Sequence, residues 1–78
     1  MINIKNKKLI IAQGNHIRAL RIKKRLSQEG LANEADIPLS QIGRIERGES
    51  NPTISTLYVI SEALEIELKV FLDFKVGK

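Results

Sequence analysis

The stretch SQEGLANEADIPLSQIGRIERG, residues 27–48, reads as two short helices around a tight turn. Leu31, Ala32 and Ala35 recur at i, i+1 and i+4 and make one apolar face, and Ile42 and Ile45 make a second face further on. Ala32 falls where the two helices would cross, small enough to let their backbones approach. Ser27 is a good N-cap for the first helix, but Gly30 stands where a capping box needs Glu or Gln, and a helical glycine costs roughly 1 kcal/mol. Packing rather than propensity therefore has to hold this helix. Asp36 occupies the turn, a residue type that tolerates the left-handed conformation. Pro38, with its fixed φ, suits the start of the second helix, and Gly48 suits its left-handed stop. With both apolar faces turned inward, Leu39, Ser40, Gly43, Arg44 and Arg47 remain on the outer side of the second helix. A solvated helix face is ordinarily filled with long charged groups, so short side chains mixed with arginines mark a surface that must lie against something.

Upstream, Ile17 and Leu20 face inward on a helix that starts near Gly14, or at Lys7 if it extends N-terminally, and ends near Arg25. His16 is read as an exposed residue of that helix, since a lone histidine has no ligand set for zinc. Downstream, Ser50-Asn51-Pro52 is a turn. A fourth helix starts around Ser55 or Thr56, with Leu57, Ile60 and Leu64 at i, i+3 and i+7 completing the core. Beyond Glu67 the pattern is ambiguous: Leu68, Val70, Leu72, Phe74 and Val76 alternate with polar residues as in a strand, broken only by Phe71.

The 78 residues make one domain, with residues 1–13 as a basic extension and 73–78 as a tail around a domain at 14–72. There is no cysteine, so disulfides and cysteine metal sites are excluded. No apolar run is long enough for a membrane span or a signal segment, and a cytoplasmic protein is expected. Charge is uneven: residues 1–28 carry eight basic groups and no acid, against five basic and nine acidic groups in the remainder. Such a polycationic segment is a solvated helix end, a phosphate-facing surface or a membrane-surface helix, the last weakened because Trp is absent and Phe71 and Phe74 lie far from the basic cluster. No nucleophile elbow, glycine-rich phosphate loop or metal-ligand cluster is present, so neither an enzyme nor a cofactor or metal is expected.

Ser27-Gln28-Glu29 with Leu31-Ala32, then Ile37, Ile42, Ile45-Glu46-Arg47-Gly48 and Asn51-Pro52, resembles the lambda-repressor and Cro-like (XRE) helix-turn-helix domain. The resemblance continues upstream through Gly14 to Arg18 with Leu20-Arg21, and downstream through Leu57, Ile60, Ala63-Leu64 and Ile66. It is nearest in kind to short stand-alone members such as restriction-modification controller proteins and phage repressors. What it implies is an all-α, compact five-helix domain with the helix-turn-helix at helices 2 and 3, and a short fifth helix at about Leu68–Leu72. A β extension at Asp73–Val76 is left open, pairing with Ile2–Ile4 or with another subunit. Asp36 replaces the family's usual Gly, and Pro38 its usual Ser or Thr.

By the same resemblance, Leu39, Ser40 and Arg44 face base edges, flanked by Gln41 and Gly43, while Gln28, Arg47, Ser50 and Asn51 meet phosphates. Glu46 sits among apolar positions, where an unpaired charge is costly, and the family pattern assigns it Arg21 as an ion-pair partner. The expected function is a sequence-specific regulator of transcription binding double-stranded DNA as a homodimer on a palindromic site. Val70, Phe71, Leu72 and Phe74 are the expected dimer surface. The alternative is a protein-interaction module on the same fold, such as an antitoxin or a docking subunit.

Overall fold

The computed structural model describes residues 6–76, which form five helices: α1 (Lys7–Lys23), α2 (Gln28–Ala35), α3 (Leu39–Glu46), α4 (Ile54–Ala63) and α5 (Leu68–Phe71). α3 packs against both α1 and α2, α2 against α4, and α4 against α5. Ile17, Leu31, Ala32, Ala35, Ile42, Ile45, Leu57, Ile60, Leu64 and Phe71 close on one another as a single core.

α1 takes the longer of its two expected ranges because Asn6 caps it, its Oδ1 accepting the Leu9 N–H at 3.0 Å. Residues 7–13, expected as an extension, are therefore helical, and Gly14 falls in mid-helix. That glycine marks the crossing with α3. A Cβ built there would lie 2.8 Å from the Glu46 carbonyl oxygen and nearer still to that of Ile45. Only a residue without a side chain lets the two backbones meet this closely.

α1, α2, α3 and α4 stop in the same way. Each ends at a left-handed residue: Arg25 (φ 61°), Asp36 (57°), Gly48 (72°) and Glu65 (59°). The next residue then sends its N–H back to a carbonyl in the last turn, from Leu26 to Arg21 at 3.1 Å, Ile37 to Ala32 at 3.0 Å, Glu49 to Arg44 at 2.8 Å and Ile66 to Ser61 at 2.9 Å. Only Gly48 adopts this conformation without a Cβ, and the others carry a strain of order 1 kcal/mol each. Glu65→Gly should therefore stabilise the domain by about 0.5 kcal/mol, after allowing for the freedom that glycine adds to the unfolded chain. Thermal denaturation checks this; a lower midpoint would mean that the Glu65 side chain makes contacts worth more than its strain.

Among the described residues there is no strand. The β extension expected at Asp73–Val76 does not form, because the N–H groups of Asp73 and Phe74 turn back to the carbonyls of Val70 and Leu72, each at 3.1 Å, and are lost to any ladder. Ile2–Ile4, its expected partner, lies outside the described residues. The helical reading of this segment holds instead, with α5 ending at a Leu72 C-cap.

Two expectations about individual side chains need correction. His16 is half-buried rather than exposed: its Nε2 donates to the Phe71 carbonyl at 2.9 Å, and its ring centroid lies 5.1 Å from that of Phe74. Phe71 is 1% exposed and belongs to the core, so its side chain is not free to line a dimer surface. The single turn of α5 points Phe71 inward and leaves its neighbours Val70 and Leu72 exposed, with Phe74 half-covered.

Candidate nucleic-acid interface

α3 presents the expected face. Leu39 is 46% exposed despite being apolar, Ser40 and Arg44 are exposed beside it, and Gln41 is half-buried at the edge. Arg44 takes part in neither ion pair found among the described residues, so its donors are uncommitted to a carboxylate. Gly43, by contrast, is buried even though it lies on the outer side. The Arg47 guanidinium covers it, with Nη1 at 2.9 Å from where a glycine Cβ would be.

One carboxylate of α3 reaches both helices packed against it. Glu46 Oε2 accepts from Arg21 Nε at 2.7 Å, and Oε1 accepts from Arg21 Nη2 at 3.0 Å, while Arg21 Nη1 donates to the Leu26 carbonyl at 2.8 Å. The pair is buried, Arg21 at 9% and Glu46 at 6% exposure. Its hydrogen bonds raise the Arg21 pKa above the ordinary arginine value, outweighing the opposing effect of burial. Glu46 Oε1 also accepts from Gln28 Nε2 at 3.1 Å. One side chain of α3 is thereby tied to α1 and to the first residue of α2, and no buried polar side-chain atom among the described residues is left unpartnered.

Gln28, expected at the α2 N-terminus as a phosphate contact, has its amide nitrogen drawn inward to Glu46. Next to it, Ser27 caps α2 by accepting the Gly30 N–H at 2.9 Å. Beyond α3, Ser50 is half-buried and Asn51 exposed. The sequence reading missed Glu49, which binds Arg47 through Nε at 2.9 Å and Nη2 at 3.3 Å. These hydrogen bonds hold the Glu49 carboxyl below the usual carboxylate range, with the charge of Arg44 adding a smaller attraction, and raise the Arg47 pKa. An acid two residues after an arginine, across a left-handed glycine, was the available signal.

Lys7, Lys8, Arg18, Lys23, Lys24 and Arg25 are exposed along α1 and its end. Lys24, Glu34, Glu62 and Glu65 line a groove beside α2 and α4. Among the described residues, no helix is long and apolar enough to cross a membrane, and no three His, Asp or Glu side chains group as metal ligands.

The sequence of residues 17–71 matches the helix-turn-helix family model. The chain belongs to the helix-turn-helix family. Among curated relatives of this helix-turn-helix domain, the control protein C.BamHI of Bacillus amyloliquefaciens is 40% identical over 62 residues, covering 78% of the chain and 76% of the relative. Among solved structures, the restriction-modification controller protein C.AhdI from Aeromonas hydrophila superposes with a TM-score of 0.78 at 33% identity, over 81% of this chain and 96% of that one. The controller protein C.Esp1396I, solved as a tetramer with its natural 35 base-pair operator, superposes at 0.79 with 32% identity, over 83% and 86% of the two chains.

Proposed function

We propose that this helix-turn-helix domain is a regulator of transcription that binds double-stranded DNA sequence-specifically, as a homodimer, in the cytoplasm. The observation that carries the reading is the outer face of α3, where an exposed leucine, a serine and an uncommitted arginine share a surface too apolar and too short for a solvated helix. Arg44 has the donors for the O6 and N7 of a guanine, Ser40 for more than one base, and Leu39 fits a thymine methyl, with Gln41 at the flank. Phosphates fall to Gln28 with the amides of the α2 N-terminus, and to Ser50 and Asn51 beyond α3, while Arg47 stands between the two sets. The operator-bound relative and the exposed cations of α1 support the same reading. The control and controller proteins among the chain's relatives support a regulatory role.

Arg44→Ala tests it. Binding to a duplex selected from a random pool should weaken by about 1 to 3 kcal/mol, with little change on DNA of mixed sequence. Equal losses on both would place Arg44 on a phosphate and remove it from recognition.

One domain offers one reading helix, so useful specificity calls for two copies with half-sites about 34 to 36 Å apart. With Phe71 in the core, the surface proposed for self-association narrows to Val70 and Leu72, 54% and 38% exposed, beside the half-covered Phe74. Val70→Ser combined with Leu72→Ser should weaken dimerisation at least tenfold, about 1.4 kcal/mol, without unfolding the domain. Sedimentation equilibrium decides; a variant that dimerises like the parent puts the interface elsewhere.

A further inference from the structure

At three of the four left-handed helix stops the following residue is apolar and packs on the core, namely Leu26, Ile37 and Ile66. At the end of α3 that position holds Glu49, whose side chain is 54% exposed. A carboxylate there forgoes the apolar contact and sets a negative charge beside a surface that the proposed function lays against DNA. Its partner in the structure is Arg47. Oε2 and Oε1 of Glu49 accept from Nε and Nη2, which is the side-on edge of the guanidinium. The end-on edge, Nη1 with the second N–H of Nη2, has no hydrogen-bond partner among the described residues, and Nη1 rests over Gly43 on the outer side of α3.

Building on the reading of α3 as the helix that enters the groove, we propose that Glu49 is a positioning residue that holds Arg47 across Gly43 with its end-on fork toward the base edges, so that Arg47 reads a guanine instead of clamping a phosphate. The ionised pair has no net charge, so its pull on a phosphate and the counterions it would release are small. Guanine O6 and N7 are neutral acceptors that demand geometry rather than charge, and a bidentate grip on the guanidinium supplies that geometry before contact. Gly43 is the seat of the arrangement, since a methyl group there would displace Nη1. Arg44 and Arg47 then read neighbouring positions of one half-site.

The test compares the parent protein with Glu49→Gln, Gly43→Ala and Arg47→Met. Each is taken through selection from a pool of random-sequence duplexes, then titrated on the duplex selected by the parent and on mixed-sequence genomic DNA over a salt series. Thermal denaturation establishes that each variant is folded. Glu49→Gln should lose the preference at one base position per half-site, lowering the ratio of selected to mixed-sequence affinity about tenfold. Its log K against log salt should steepen by about 0.9 per subunit, because the released Arg47 now neutralises a phosphate. Gly43→Ala should lose the same preference while folding at least as well, and Arg47→Met should lose it too. A Glu49→Gln protein with the parent's preference and slope overturns the proposal. So does an Arg47→Met protein that keeps the preference and gives up about 0.9 of slope, the mark of a phosphate clamp. A parent that selects no sequence at all overturns the reading of α3 itself, an outcome distinct from variants that match a selective parent.

Discussion

Glu46→Ala should destabilise the domain by about 3 to 5 kcal/mol, because it strands the Arg21 guanidinium in a buried place without its counter-charge. The geometry argues for the upper part of that range. Two hydrogen bonds at 2.7 and 3.0 Å disappear together, and Gln28 loses its acceptor at 3.1 Å. A domain of this size has a net stability of only a few kcal/mol, so much of the variant would be unfolded at room temperature. Arg21→Met with Glu46→Leu should recover most of the loss, since two apolar groups fill the volume without an uncompensated charge. Equilibrium unfolding in urea reads both. A loss under about 1 kcal/mol for each single change would put the pair among exposed ion pairs and sink the argument.

Gly14→Ala should cost about 2 to 3 kcal/mol, although alanine is the better helix former by about 1 kcal/mol. The added methyl would meet backbone, not a side chain that can swing away. The carbonyl oxygens of Ile45 and Glu46 both lie inside the distance any real Cβ keeps. α1 and α3 must separate, and the Arg21 to Glu46 pair lies across that same contact, so the two losses should not add independently. Denaturant midpoints of the single and combined variants with Glu46→Ala measure the coupling. A Gly14→Ala protein as stable as the parent would show that the helices slide apart at little cost.

The helix-turn-helix was legible because its signals are local. Ser27, Asp36 and Gly48 each act on their own backbone, and the spacing of Leu31, Ala32, Ala35, Ile42 and Ile45 needs only helical geometry to define two inward faces. The ion pair was legible because a carboxylate at Glu46 interrupts an apolar face, and the family pattern supplied its partner. What remained hidden depends on neighbours remote in sequence. His16 looks like a surface residue until α5 brings the Phe71 carbonyl against it across 55 positions. The alternation from Leu68 to Val76 suggested a strand because it records which side chains are apolar and not where the N–H groups turn; those of Asp73 and Phe74 turn back. Arg25 and Glu65 gave no sign of a left-handed backbone, since neither residue type favours it. Gln28 and Arg47 sit at expected places but have intramolecular partners, and helical periodicity specifies a direction without specifying a partner.

Gly14 and His16 stand two residues apart on α1, the first seated on the backbone of α3 and the second bonded to the last turn of α5. Along a helix axis that separation is about 3 Å, less than a single turn. The C-terminal end of the domain and its outward-facing helix thus share one short stretch of α1 as their support, reached from α5 by a single side-chain hydrogen bond and from α3 by direct backbone contact.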